Sequence, residues 1–402
     1  MALEKLAAAC IFPSFPGLEA PDWILRRLEG GIGGICLFSY NVRDREQLAE
    51  LTGVLRAGRD DLLIGIDEEG GDVTRLESGR GSSYPGNGAL GVVDDVASTA
   101  QVAAAIGADL AAVGVNLDFA PVADINVNPA NPVIGIRSFG TDAGLVARHV
   151  EAFVTGLQSQ GVAACAKHFP GHGSTSQDSH LELPEVLGDV RDGLGPFRAA
   201  IAAGVQTIMT AHVSVPELDR LPATLSHAVM TGLLRDELGY DGLVIADALE
   251  MKGVSATVGV EKSAVLALAA GVDALLIGHD LLEEWVVAVQ AALVDAVVSG
   301  ELPESRLREA AGRVARVGAW ASRSGGDGAI DREAGRAVAR RALRADGDLA
   351  LHEPPLVVEL RARANIAAGD AEHSVGSVLQ GRLPGSDSVV LDEAAASNLG
   401  ST

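Results

Sequence analysis

The stretch "AKHFPGHGSTSQDSHLELP", residues 166–184, gathers three of the chain's nine histidines beside a lysine, an aspartate and a glutamate. Its glycines and prolines exclude a regular helix, so the segment reads as a loop. Asp178 and His180 stand two residues apart, which puts their side chains on one side of an extended segment. A carboxylate bonded to an imidazole fixes its tautomer and raises its basicity, the arrangement of a general acid/base working near neutral pH. Two other readings stay open: a loop stitched by hydrogen bonds, and a zinc site made by His168, His172 and His180. The zinc reading predicts loss of activity on chelation. It is disfavoured because His168 and His172 have helical spacing in a segment that Pro170 and Gly171 keep from being a helix.

A second constellation is "LVIADALEMKG", where Asp247 closes an apolar run. A carboxylate delivered by a buried strand is a candidate nucleophile or general base, although Asp also caps turns and helices. The third is "GIDEEGGDVTRL", residues 65–76: Asp67 ends an apolar run, the paired glycines permit close backbone approach, and Arg75 offers a planar donor fork. Together with Lys167 and with Arg137 of "NPVIGIRSFG", these charges suit a polyhydroxylated ligand. Taken singly, such residues more often make surface salt bridges.

These residues need a scaffold that brings distant segments to one place. Eight apolar runs recur: "LAAACIF", "GGICLF", "DLLIGID", "VNLDFAPV", "GVAACAKHF", "QTIMTAHV", "DGLVIAD" and "VDALLIG". Continuous apolar runs fit strands buried on both faces, as in a parallel sheet. Between them lie segments of helical periodicity such as "REQLAELTGVLRAG", "TAQVAAAIGADLAAVG" and "LVARHVEAFVTGLQSQG", several ending in Gly where a helix C-cap wants a left-handed residue. Eight such repeats predict a (β/α)8 TIM-type barrel. Asp67, His168, His212 and Asp247 then each stand at the C-terminal end of a strand, where barrels carry their chemistry. An open doubly wound sheet would carry a Gly-rich phosphate loop after its first strand, and "IFPSFPG" is not one.

The composition changes at "SRSGGDGAIDREAG", which divides the chain into a barrel over residues 1–322 and a linker with a short C-terminal α/β extension over 323–402. That extension reads as a basic helix, a strand "PLVVEL", a helix around "SVGSVLQG" and a strand "DSVVLD", too little for an independent core. A net charge of −23 excludes nucleic acid and anionic membranes as expected partners. The three cysteines, Cys10, Cys36 and Cys165, lie in apolar runs without CxxC spacing and read as core residues of a reducing compartment. Glu4 and Lys5 precede an apolar run too short for a signal peptide, so a cytoplasmic protein is expected, with a trimmed leader as the alternative.

The segments "IDEEGGDVTRL", "NPVIGIRSFG", "KHFPGHGSTSQDSH", "IMTAHV…PATLS" and "LVIADALEM" occur in the order found in glycoside hydrolase family three. Over nearly all of residues 1–322 the chain most closely resembles that family's bacterial β-N-acetylglucosaminidase branch. The resemblance implies a retaining exo-hydrolase that removes terminal β-linked N-acetylglucosamine from peptidoglycan or chitin fragments through a covalent glycosyl-enzyme intermediate. It implies Asp247 as nucleophile, His180 with Asp178 as acid/base, and Asp67, Arg75, Arg137, Lys167 and His168 as sugar contacts, with His172 shaping the loop. No metal or other cofactor is implied, and the partner is a small N-acetylglucosamine-containing glycan. Phosphorolysis on the same site is the alternative reaction, since a neutral His repels phosphate less than a carboxylate does. A non-catalytic sugar-binding barrel is a further reading. Two residues depart from the family's usual pattern: Ser174 stands where Asp is common and Glu68 where Gln is common.

Overall fold

A computed structural model describes residues 2–179, 181–278, 282–324, 328, 330–347, 350–351, 353–361 and 374–392. The eight apolar runs supply eight parallel strands: β1 (Ile11–Pro13), β2 (Gly34–Cys36), β3 (Leu63–Ile66), β4 (Leu117–Asp118), β5 (Ala163–Phe169), β6 (Thr207–Thr210), β7 (Leu243–Ala246) and β8 (Ala274–Ile277). Their pairing order is β1-β8-β7-β6-β5-β4-β3-β2. Across the remaining seam the Gly33 N–H donates to the Ile11 carbonyl at 3.3 Å, which leaves a near-closed (β/α)8 barrel.

Strand parity decides which side chains reach the middle. Successive residues of a strand point to opposite faces. Phe12, Leu63, Leu117, Ala163, Cys165, Met209, Leu243, Ile245, Ala274 and Leu276 form the cluster inside the barrel. Their sequence neighbours Ile11, Ile64, Ala164, Ile208, Val244 and Leu275 belong instead to the layer between strands and helices. Gly65 is inward too, and a Cβ there would lie 2.6 Å from the Phe119 ring. Continuing the inward parity past each strand end, 63–65–67, 163–165–167 and 243–245–247, brings Asp67, Lys167 and Asp247 to the barrel's C-terminal mouth. The helix Glu304–Arg323 covers the opposite end, its Val314, Val317 and Ala321 packing into the same inner cluster.

Two segments differ from the sequence expectation. The run from Leu6 is mostly helix, Leu3–Ala9, because its alanines favour that state and only Ile11–Pro13 is extended. The run from Val115 yields a strand of two residues, since Pro121 has no N–H to extend the ladder. Helix starts follow local chemistry: Asp44, Asp95 and Asp142 cap the helices Arg45–Leu55, Val96–Ala112 and Ala143–Gln158 by accepting backbone N–H bonds from Gln47, Ser98 and Leu145. Each such cap is worth about 1 kcal/mol. The C-terminal extension forms the helix Arg332–Ala342, then β9 (Leu356–Arg361) paired in parallel with β10 (Asp387–Asp392), with the helix Val375–Arg382 between them. Among the described residues no helix is long and apolar enough to cross a membrane.

Candidate active site

Lys167 is the centre of the charged mouth. It is 2% exposed, and its Nζ lies 2.7 Å from Asp67 Oδ1 and 2.7 Å from Glu69 Oε1. Burial lowers the ammonium pKa, but Asp67 and Glu69 together carry it above its ordinary value, so Lys167 stays charged. Arg75 completes the Asp67 contact, with Nη2 3.4 Å from Oδ2. Arg137, on the short 3-10 turn Gly135–Arg137, meets Glu69 as a fork: Nε to Oε2 at 3.0 Å and Nη2 to Oε1 at 2.7 Å. Burial raises the Glu69 carboxyl pKa, and Arg137 and Lys167 then hold it well below the usual carboxylate range. Four of the sequence-predicted contacts, Asp67, Arg75, Arg137 and Lys167, therefore form one network, joined by a residue not singled out from sequence. The signal for Glu69 was its place in "DEEGG", but two adjacent glutamates look alike until Glu69 is paired with two buried cations.

The turn after Glu69 explains the paired glycines. Gly70 and Gly71 have φ of +80° and +61°, and Cβ atoms there would meet the Pro85 carbonyl oxygen at 2.8 Å and the Gly86 Cα at 2.7 Å. Glu68 points the other way: its Oε2 accepts the N–H groups of Arg75 at 2.9 Å and Leu76 at 3.0 Å. Glu68 thus folds the loop back so that Arg75 returns to Asp67. Its own N–H donates to Oδ1 of Asp118, a carboxyl whose pKa burial drives well upward.

On β5 the Lys167–His168 and Phe169–Pro170 peptides are cis. His168 Nδ1 lies 2.7 Å from Asp124 Oδ2, and the other Asp124 oxygen accepts the His172 N–H at 2.6 Å. Burial raises the Asp124 carboxyl, but His168 and His172 bring it below its ordinary value. Asp124 was also missed from sequence: it lies in "APVAD", beyond the strand, with no partner nearby in the chain. His172 has both ring nitrogens engaged, Nδ1 with Thr175 Oγ1 at 2.7 Å and Nε2 with Ser179 Oγ at 3.2 Å. Thr175 Oγ1 donates to the His172 carbonyl at 2.9 Å, so it accepts from Nδ1–H and leaves Nε2 to accept from Ser179. Such a ring shapes the loop and has no free nitrogen for a metal. Ser174 holds the returning arm of the loop, accepting the Leu187 N–H at 3.1 Å.

Asp247 is partly exposed directly after β7, two strands from β5 in the barrel order. Its Oδ1 accepts the N–H of the next residue, Ala248, at 2.8 Å, while the helix that follows, Lys252–Val258, starts after Met251 with no side-chain cap, so Asp247 does not cap it. His212, beyond β6, donates from Nε2 to the Ala248 carbonyl at 3.0 Å and meets Thr224 Oγ1 through Nδ1 at 2.8 Å, which ties down the turn carrying Asp247. The loop bearing Asp178 reaches the start of the helix that follows this turn, Lys252–Val258, where the Gly253 N–H donates to the Ser179 carbonyl at 3.1 Å. His180 lies outside the described residues.

A family model described as the glycosyl hydrolase family 3 N terminal domain matches residues 20–317. A protein of Thiobacillus denitrificans called β-hexosaminidase is 39% identical over 285 residues, 68% of this chain and 79% of its own length. The β-hexosaminidase A of Pseudoalteromonas piscicida is 36% identical over 71% of this chain, which spans about half (53%) of that relative. Among solved structures, a family 3 β-N-acetylglucosaminidase from Paenibacillus sp. superposes with a TM-score of 0.88 at 38% identity, over 100% of this chain and 82% of that one.

Proposed function

From the premise that this chain belongs to glycosyl hydrolase family 3, we propose that it is a retaining exo-β-N-acetylglucosaminidase acting on peptidoglycan or chitin fragments. The observation that carries this reading is the largely buried Asp67–Lys167–Glu69–Arg137 network at the same barrel mouth as Asp247. A fixed array of carboxylate, ammonium and guanidinium groups offers paired donors and acceptors to adjacent sugar hydroxyls. Because these groups already hold one another, little ordering remains to be done when the sugar binds.

In this mechanism Asp67, Arg75, Lys167, His168 and Arg137 hold the terminal sugar with its anomeric carbon toward Asp247. The Asp247 carboxylate attacks that carbon, forming the glycosyl-aspartate bond as the carbon–oxygen bond to the leaving group breaks. His180, kept in the right tautomer by Asp178, gives its proton to the departing oxygen. The same imidazole then takes a proton from water, which attacks the anomeric carbon, releases Asp247 and yields the sugar with its β configuration restored. His212 supports this arrangement by holding the turn after Asp247, and the Ser179–Gly253 contact fixes the helix that follows it against the loop that bears Asp178.

The test is hydrolysis of aryl β-N-acetylglucosaminides by wild type, Asp247→Ala and His180→Ala. Asp247→Ala is expected to lose about 10³-fold or more in kcat. His180→Ala is expected to lose about 10²–10⁴-fold, with the smaller losses on the best leaving groups. Full activity in either variant would overturn the assignment, and N-acetylglucosamine 1-phosphate as main product in phosphate buffer would replace hydrolysis by phosphorolysis.

A further inference from the structure

The helix Arg332–Ala342 lies outside the stretch matched by the family model, residues 20–317, yet it packs against the back of the sugar-binding loop. Its Gly335 sits so close that a Cβ would lie 2.8 Å from the Ser83 carbonyl oxygen, 3.2 Å from the Tyr84 ring and 3.3 Å from Pro85. Val338 is 2% exposed in the main core. Both ends of the helix are tied to the barrel. Arg332 Nη2 is 3.7 Å from Asp109, the buried carboxylate that also accepts from Tyr84 Oη at 2.9 Å, and Arg341 Nη1 donates to Asp95 at 2.9 Å and Ser98 at 3.1 Å.

Segment 83–86, pressed by that helix, is in turn the floor of the active-site loop. The Tyr84 carbonyl accepts the Gly71 N–H at 2.9 Å, and the Pro85 and Gly86 backbones fill the space behind Gly70 and Gly71. That turn joins Glu69 to the strip returning to Arg75. One residue further on, Asn87 Nδ2 donates to the Arg137 carbonyl at 2.8 Å. Two routes therefore lead from the helix to the charged mouth, one through the Gly70–Gly71 turn to Glu69 and Arg75, the other through Asn87 to Arg137.

We propose that the helix Arg332–Ala342 is a positioning element of the active site, holding residues 83–87 so that Glu69, Arg75 and Arg137 keep their sugar-binding geometry. The proposal rests on the reading of Arg75 and Arg137 as sugar contacts, and it makes part of the C-terminal extension necessary for substrate binding although the reacting groups belong to the barrel. Packed backbone transmits a displacement because it has no free volume to absorb it.

The test uses the full chain carrying Gly335→Val, with Arg340→Ala on the solvent face of the same helix as control. Gly335→Val is expected to raise KM for an aryl β-N-acetylglucosaminide, and Ki for free N-acetylglucosamine, by about tenfold or more with kcat changed less than about twofold. Amide hydrogen exchange over residues 68–77 is expected to quicken by about tenfold while β6–β8 are unchanged. Gly335→Ala gives a smaller effect of the same kind, and Arg340→Ala none. Should Gly335→Val fail to fold, Val338→Ala and Arg341→Ala carry the same expectation. Exchange over 68–77 and KM both equal to wild type, with the helix itself loosened, would overturn the proposal. If wild type does not cleave the aryl substrate, the functional reading falls, and the exchange pattern alone then decides the role of the helix.

Discussion

Glu68 and Glu69 are neighbours in sequence with opposite electrostatic fates. Glu69 faces two buried cations and stays ionised, whereas Glu68 faces backbone N–H groups and the Asp118 carboxyl. Burial pushes the Glu68 carboxyl from 4.5 up to about 7, against the lowering bonds from Leu76, Thr74 and Arg75. The unfolded chain releases that proton at the ordinary carboxylate value, while the folded chain keeps it until about 7. Its contribution to stability is thus complete below the ordinary value and is lost as pH rises through about 7. The loss amounts to about 3 kcal/mol. Glu68→Gln preserves an oxygen acceptor for Arg75 and Leu76 and removes the titration. Urea unfolding of both proteins across this pH range is expected to show the variant gaining on wild type as pH rises, by about 3 kcal/mol at the alkaline end. Parallel pH profiles would refute it. This behaviour was hidden in the sequence, because charge state depends on neighbours that only folding supplies.

At the scale of elements, the loop after β5 works as a strap fastened at several points. His172 joins Thr175 to Ser179 through its two ring nitrogens, and burial lowers its pKa to about 4, so the ring is neutral and keeps both bonds at working pH. His172→Phe preserves ring volume but loses both bonds, releasing the arm that carries Asp178 and His180. Acid assistance should suffer most. For alkyl leaving groups kcat is expected to fall about tenfold or more, with little change for activated aryl groups. A rate series over leaving-group pKa checks this, and a uniform loss across the series would mean that the loop is not what His172 holds.

For the whole molecule the two ends of the barrel divide the labour. Asp273, just before β8 at the end away from the mouth, receives Arg235 at 2.6 Å, Arg313 at 3.2 Å, Arg306, and the Val244 N–H at 3.0 Å. Asp273→Asn leaves three largely buried guanidinium groups without their shared anion. It is expected to cost about 3–5 kcal/mol in stability while kcat and KM of the folded fraction hold. Calorimetry beside steady-state kinetics checks this, and a change in KM without a change in stability would contradict it.

The strand runs, the helix periodicity with its glycine C-caps, and the place of Asp67, His168, His212 and Asp247 at strand ends were legible in the sequence, because they rest on local propensity and residue period. The inward parity that aligns Asp67, Lys167 and Asp247, and the Asp caps, came from the folded strands and helices. Only the tertiary structure decided which charges meet. Glu69 with Lys167 and Arg137, Asp124 with His168, and Gly335 against Ser83 join residues 44 to 252 positions apart, and no local spacing encodes such pairs. Barrel closure sets the first two contacts and docking of the C-terminal helix the third, and burial then fixes the charges of the ion pairs.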